Sequence, residues 1–388
     1  MQCYALQKYL TDQGHDVEII DYRPKYHAVR YDAWKNPFRY AIWQAGIKKG
    51  RSRLRKFATA ARSFARCMRL NIRGTDRENV KLFNEFIDKH LHTTRRYVTL
   101  KQLQKNPPKM DAYISGSDQV WNPELLNQRF DEAYFLNFGS DECIRITYAV
   151  SLGKEFNSEE GKRLKKLCAP LNAISLRENA PAVVAAIDRD IHICVDPTLL
   201  LNAEDYEEIK RDTGETEPYV FVYGFETSPA ILEAIKLISD KYNCKIINGS
   251  PGRVRISGSN VKNVRNYAPD LFLSYIRNAE FVVTNSFHGT VFSILYRKKF
   301  ITVPHTTRGR RMIELLYKLG LSSALWGAPT FSMEKELDYE TAYSKLEELR
   351  KSSTNYLEKA LSGRRGEDIP HLVQEDACSD VDMNKTHE

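Results

Sequence analysis

Apolar residues recur along this chain in two patterns. In some stretches they return every three or four positions, and in shorter runs they are continuous, as in amphipathic helices and buried strands respectively. Tyr4, Leu6 and Leu10 share one helical face over 2–13, and Gly14 stands where a helix-ending glycine belongs. Val17-Glu18-Ile19-Ile20 then reads as a strand, followed by Asp21. Helix, glycine, strand and acidic residue form the second half of a βαβ unit. The first half is not in the sequence, so the N-terminal domain reads as lacking its first strand and loop.

The alternation continues. A helix is predicted over about 78–90, a short strand at 112–114 and further strands near 144–150, 172–176 and 191–195, with helices near 157–168 and 179–187. A polar stretch, 210–217, reads as a linker. Beyond it a second series starts with the strand at 219–224 and the helix at 229–241. It continues through a strand at 244–247, a helix at 270–277, a strand at 280–284, a helix from about 289, a strand at 299–303 and a helix at 310–319. A charged helix spans about 338–361. Alternating strands and helices imply parallel sheets. The expected fold class is therefore α/β: two Rossmann-like domains in an architecture like the GT-B fold. The domains are expected at 1–205 and 206–335, with a C-terminal helix at 336–361 and a polar, disordered tail at 362–388.

With 388 residues, 42% of them hydrophobic and 11% aromatic, the chain can bury two ordinary cores. No run of eighteen apolar residues is present, and Met1 leads into a helix pattern instead of a signal-peptide pattern, so a cytoplasmic protein is expected. The seven cysteines are scattered with no C-x-x-C pair, which signals neither a zinc site nor a disulfide framework. Charge changes the picture more. The net +8 comes from one segment: 34–73 holds twelve Lys or Arg and no Asp or Glu, so the rest of the chain is acidic on balance. Trp34, Phe38, Trp43, Ile47, Leu54, Phe57, Phe64 and Leu70 interleave with those cations as a basic amphipathic insertion. Two readings stand open. The segment lies on an anionic membrane surface, at the inner face of the cell membrane, or it packs its aromatics on the domain. No nucleic-acid fold accompanies the charge, so nucleic acid is not an expected partner.

Four places could carry chemistry, each at the carboxyl end of a predicted strand, where open α/β sheets receive ligands. At Asn285-Ser286-Phe287-His288-Gly289 a buried strand turns into a helix whose N-terminus can face an anion, beside a histidine able to exchange protons. The alternative is a histidine that only caps the helix. Arg177, followed by Glu178, can hold phosphate or carboxylate in a bidentate grip, or the two can form a structural ion pair. In the loop Ser115-Gly116-Ser117-Asp118-Gln119-Val120-Trp121-Asn122, Ser117, Asp118, Gln119 and Asn122 could hold sugar hydroxyls while Trp121 stacks on a sugar face; an ordinary Asx-turn is the bland account. Arg308-Gly309-Arg310-Arg311 is either a phosphate grip or a solvated basic turn, and Asp196-Pro197 either supports a site or shapes a hinge. No P-loop, H-E-x-x-H or G-x-S-x-G is present, which removes support from phosphate-loop kinases, zincins and serine hydrolases.

Taken together, these segments resemble the polysaccharide pyruvyl transferase family over roughly residues 2–325. The resemblance is carried by Tyr4-Ala5-Leu6-Gln7 with Ile20-Asp21-Tyr22-Arg23-Pro24, by Gly116 to Asn122, by Ser175-Leu176-Arg177-Glu178, by Asp196-Pro197-Thr198 and by Ser286-Phe287-His288-Gly289. It implies a GT-B-like enzyme that moves the enolpyruvyl unit of phosphoenolpyruvate onto a sugar of an exopolysaccharide, capsule or cell-wall glycan precursor, forming a ketal, with 1–205 as the acceptor side and 206–335 as the donor side. The acceptor could be lipid-linked. No metal or organic cofactor is implied. The family histidine that acts on the donor matches His288 and the arginine that grips it matches Arg177. Ser286 and Gly289 fall at the donor, Asp118 is the candidate to orient or deprotonate the acceptor, and Glu178, Asp196 and Asn285 support. In some relatives an arginine stands two residues before the histidine. Here that position is Ser286, which makes Arg311 the replacement cation. The family also opens with a strand and an Asn-Tyr-Gly-type loop that this sequence lacks. The rival readings are a GT-B glycosyltransferase using a nucleotide sugar, and a non-catalytic glycan- or nucleic-acid-binding protein.

Overall fold

Tyr4, Ala5, Gln7 and Leu10 are the buried residues of the first helix, α1 (Gln2–Asp12), while Leu6, expected on that face, is only half-buried. The computed structural model describes residues 1–24, 26, 55, 57–65, 75–126, 129–154, 156–251, 254–264, 268–306 and 309–363. Most of the basic insertion at 34–73, the tail beyond 363 and Arg308 therefore lie outside the described residues. The chain divides into two compact units. One holds Met1–Ile193 with residues 356–363, the other Cys194–Asn355.

In the first unit, α1 leads to α2 (Thr75–His90) and the short α3 (Leu100–Lys105), which is capped by Thr99 accepting from the Gln102 N–H. The strand expected at 17–20 does not form. Ile19 and Tyr22 make only isolated parallel bridges, to Thr93 and Tyr97, because a bend at Arg95 interrupts the partner segment. Strands β1 (Ala112–Ser115) and β2 (Ile144–Thr147) pair in parallel, as do β3 (Ser175–Leu176) and β4 (His192–Ile193). Parallel bridges Ile146–Ala173 and Val150–Leu176 join the two pairs. Helix α4 (Ser158–Cys168) opens with a capping box between Asn157 and Glu160, and α5 (Pro181–Ile187) opens on a proline. The core gathers Trp121, Phe130, Phe135, Leu152, Leu164 and Ile174.

In the second unit the five strands among the described residues are all parallel: β5 (Tyr219–Tyr223), β6 (Lys245–Asn248), β7 (Val261–Asn263), β8 (Phe281–Thr284) and β9 (Phe300–Thr302), in the order β7-β6-β5-β8-β9. The central strands β5 and β8 read as continuous apolar runs because both of their faces are buried. Helix α6 (Pro229–Tyr242) starts at the Ser228 cap and buries Ile231, Ala234, Ile235 and Ile238 along one stripe. Helices α7 (Pro269–Asn278), α8 (Phe287–Leu295) and α9 (Arg310–Lys318) follow, and α10 (Tyr339–Leu361) ends the described chain.

The boundary expected at 205/206 falls inside this unit. Tyr206 is fully buried with its ring edge-on to Phe292, and its hydroxyl donates to the Thr198 carbonyl. The polar stretch at 210–217 is likewise tied to the unit, since the Glu215 carboxylate pairs with Lys245 at 2.8 Å and with Lys262. Both units are thus α/β with parallel strands, as the sequence pattern predicted.

Candidate active site

The turn from β8 into α8 is built by three small polar residues. The Thr284 hydroxyl donates to the Tyr223 carbonyl at 2.6 Å and accepts the Ser286 N–H at 3.0 Å. Ser286 is the N-cap, its hydroxyl accepting from the Gly289 N–H at 3.3 Å. Glycine is needed at 289 because a Cβ there would lie 2.2 Å from the Thr284 hydroxyl oxygen. Ser286 and Gly289, expected at the donor, are both buried, and the Gly289 N–H is taken up by the Ser286 cap.

What the turn presents is His288. Its side chain is about a quarter exposed, and Nε2 faces Asp196 Oδ2 at 3.6 Å. Asp196 is almost fully buried, and its other oxygen accepts from the Thr198 N–H at 3.0 Å and the Thr198 hydroxyl at 2.6 Å. The carboxylate is thereby fixed, within ion-pair distance of the imidazole. From sequence Asp196 read only as a support or a hinge. Its role as partner of His288 is visible once the fold brings the two together.

Arg311, on the first turn of α9, places its guanidinium 5.6 Å from the centre of the Phe287 ring, next to His288. Arg310 pairs with Glu314 at 2.6 Å. Arg311 thus stacks on the neighbour of His288 in the chain.

In the first unit, Arg177 follows β3 with its side chain 2% exposed. It donates from Nη1 to the Ser117 hydroxyl at 3.2 Å, Nη2 lies 3.9 Å from Asp118 Oδ1, and Nε lies 3.9 Å from Glu178 Oε2. Asp118 is exposed and holds a left-handed φ of 92°, a strained conformation for a non-glycine residue of the kind that clusters at functional sites. Glu178 does not simply hold the arginine. Its Oε1 accepts from the Ser151 hydroxyl (2.8 Å) and the N–H groups of Leu152 (2.8 Å) and Gly153 (3.2 Å).

The sugar-stacking role expected of Trp121 is corrected. Its ring is fully buried, stacked at 4.7 Å on Phe135, with its N–H donating to the Tyr134 carbonyl. Asn122 is buried as well, donating to Gln119 Oε1 and accepting from the Glu124 N–H, so it and Gln119 shape the loop. Ser117, Asp118 and Arg177 are the polar groups that this part of the chain brings together. Asn285 is buried and ties β8 to the loop after β5, since Oδ1 accepts from the Phe225 N–H at 2.7 Å and Nδ2 donates to the Glu226 carbonyl at 3.1 Å.

Sequence reasoning missed a second histidine–carboxylate pair, His305 Nε2 and Glu226 Oε2 at 3.5 Å. Neither residue lies in a motif of its own, and only their positions just after β9 and β5 could have marked them. Among the described residues, no group of three or more His, Cys, Asp or Glu side chains has the arrangement of a metal site, and no helix is long and apolar enough to cross a membrane.

The His288–Asp196 pair thus stands at the carboxyl edge of a parallel sheet, where open α/β sheets receive ligands. Residues 1–307 match the polysaccharide pyruvyl transferase family, and the chain belongs to that family of transferases. No curated protein matches the chain in sequence. Among solved structures it is similar to MnaA of S. aureus in a co-structure with UDP, at 8% identity, a TM-score of 0.41 and coverage of 77% of this chain and 82% of that one. The glycotransferase of kitacinnamycin gives 12% identity and a TM-score of 0.38 over 65% and 74% of the two chains. An O-GlcNAc transferase of Thermobaculum terrenum gives 10% identity and 0.35 over 91% and 65%. Likeness at this level carries no argument about function.

Proposed function

We propose that the protein is a phosphoenolpyruvate-dependent pyruvyltransferase that forms a pyruvate ketal on a sugar of a surface glycan or its precursor. The observation that carries this reading is the pairing of His288 with Asp196 at the carboxyl end of β8, in a chain of the polysaccharide pyruvyl transferase family. His288, protonated and oriented by Asp196, delivers a proton to the methylene carbon of the donor. Positive charge develops at the central carbon, a sugar hydroxyl adds there, phosphate leaves, and a second hydroxyl closes the ring. The two hydroxyl protons end on the new methyl group and on the released phosphate, so no oxidant or cofactor enters. Arg311 and Arg177 are the candidate cations for the donor's phosphate and carboxylate. Asp118 is the candidate base of the first unit.

The test is incubation with phosphoenolpyruvate and a panel of hexosides in D2O, following phosphate release and the methyl signal of the product. The expected result is a phosphoenolpyruvate-dependent ketal with one deuteron in its methyl group, absent in His288→Ala. Consumption of a nucleotide sugar with phosphoenolpyruvate untouched would overturn the reading.

A further inference from the structure

The order β7-β6-β5-β8-β9 reverses its winding between β5 and β8, and sheets of this kind receive ligands in the crevice outside that point. His288 flanks it on the β8 side. On the β5 side stand Phe225 and Glu226, which no step above uses.

The β5 loop is pinned at both ends. The Gly224 N–H donates to the Ser250 hydroxyl at 2.8 Å, and the Asn285 side chain holds both the Phe225 N–H and the Glu226 carbonyl. A Cβ at Gly224 would lie 2.8 Å from Asn285 Oδ1, so glycine permits this close approach. On the far side, the Glu226 carboxylate accepts from the Thr306 N–H at 2.7 Å and the Thr306 hydroxyl at 2.8 Å, with His305 at 3.5 Å. Between these anchors the Phe225 ring rests edge-on against Tyr223 at 5.5 Å and is 56% exposed. A mobile loop could tuck such a ring away, whereas one fixed at three consecutive residues holds it out.

We propose that Phe225 and Glu226 form a subsite for the acceptor sugar. The ring stacks on the C–H face of a hexopyranose, and the carboxylate, which has lone pairs beyond those given to Thr306, accepts hydroxyl protons with His305 beside it. A sugar fits better than a nucleotide because the carboxylate next to the ring repels phosphates. Its assignment to an acceptor rests on the pyruvyltransferase reading, but sugar binding itself does not.

Saturation-transfer NMR with methyl β-galactopyranoside, methyl β-glucopyranoside and methyl α-mannopyranoside tests it, alongside thermal shifts with phosphoenolpyruvate. Wild type should pass saturation to the ring C–H protons of at least one glycoside. Phe225→Ala should lower the signal about threefold to tenfold, the range of one aromatic contact. Phe225→Trp should keep it, and Glu226→Gln should weaken it. The proposal is overturned if no glycoside is saturated by wild type, if folded Phe225→Ala matches wild type, or if uridine is saturated and the glycosides are not. Loss of the sugar signal in Phe225→Ala, with no effect of phosphoenolpyruvate on wild type, would uphold the subsite and sink the pyruvyltransferase reading instead.

Discussion

His288 Nε2 stands 3.6 Å from Asp196 Oδ2, bringing together residues 92 positions apart in the chain. Replacing His288 by Ala should lower kcat about 10²- to 10⁴-fold, the usual contribution of general acid–base catalysis. Asp196→Asn should cost less, and the double variant no more than His288→Ala alone, because the two act as a unit. Steady-state rates of the three variants decide it. Additive losses would separate the residues.

Gly289→Ala should both destabilise the second unit and impair the site. The added methyl meets the buried Thr284 hydroxyl, whose bonds to Tyr223 and Ser286 hold the turn. Overpacking of this kind costs about 1–3 kcal/mol, so calorimetry should find a lower Tm together with a drop in kcat.

Glu178 holds the 151–153 segment through three hydrogen bonds to one oxygen. Glu178→Ala strands two backbone donors and a hydroxyl and should cost about 2–4 kcal/mol. Glu178→Gln keeps an acceptor in place and should cost less. Equal Tm losses in the two variants would contradict a role in holding the loop.

Glu215 gives the pH dependence. Burial alone would raise its pKa, but the hydrogen bonds and charges of Lys245 and Lys262 outweigh it and hold the carboxyl below its ordinary value. A lowered folded pKa contributes stability that is fully present above the unfolded value of about 4.3 and is lost as pH falls through the folded one. The Tm gap between wild type and Glu215→Gln should therefore be widest near neutral pH and close in acid below about pH 4. A gap that is constant with pH would contradict the ion pairs.

Where a segment's pattern depends on its own burial, the sequence was a good guide. The stripe Ile231, Ala234, Ile235, Ile238 and the apolar runs of β5 and β8 mark their elements directly. Strand β7, Val-Lys-Asn, escaped notice because an edge strand that is only partly buried carries no apolar signature. Trp121 misled for a different reason. Whether an aromatic in a polar loop faces solvent or core depends on Phe135, which stacks on it through the fold and not through local pattern. His288 announced itself by its turn, while Asp196, Phe225 and Glu226 gained meaning only from strand order. Local chemistry is written in neighbours along the chain, and partnerships across it are not.

The donor is the point on which the rest depends. A thermal-shift titration with phosphoenolpyruvate, nucleotide sugars and inorganic phosphate should raise the Tm of wild type with phosphoenolpyruvate, about as expected for a ligand that binds only the folded chain. That rise should disappear in Arg177→Ala and persist in His288→Ala, whose role is proton transfer. Stabilisation by nucleotide sugars alone, with none from phosphoenolpyruvate, would contradict the pyruvyltransferase assignment and make the protein a glycosyltransferase.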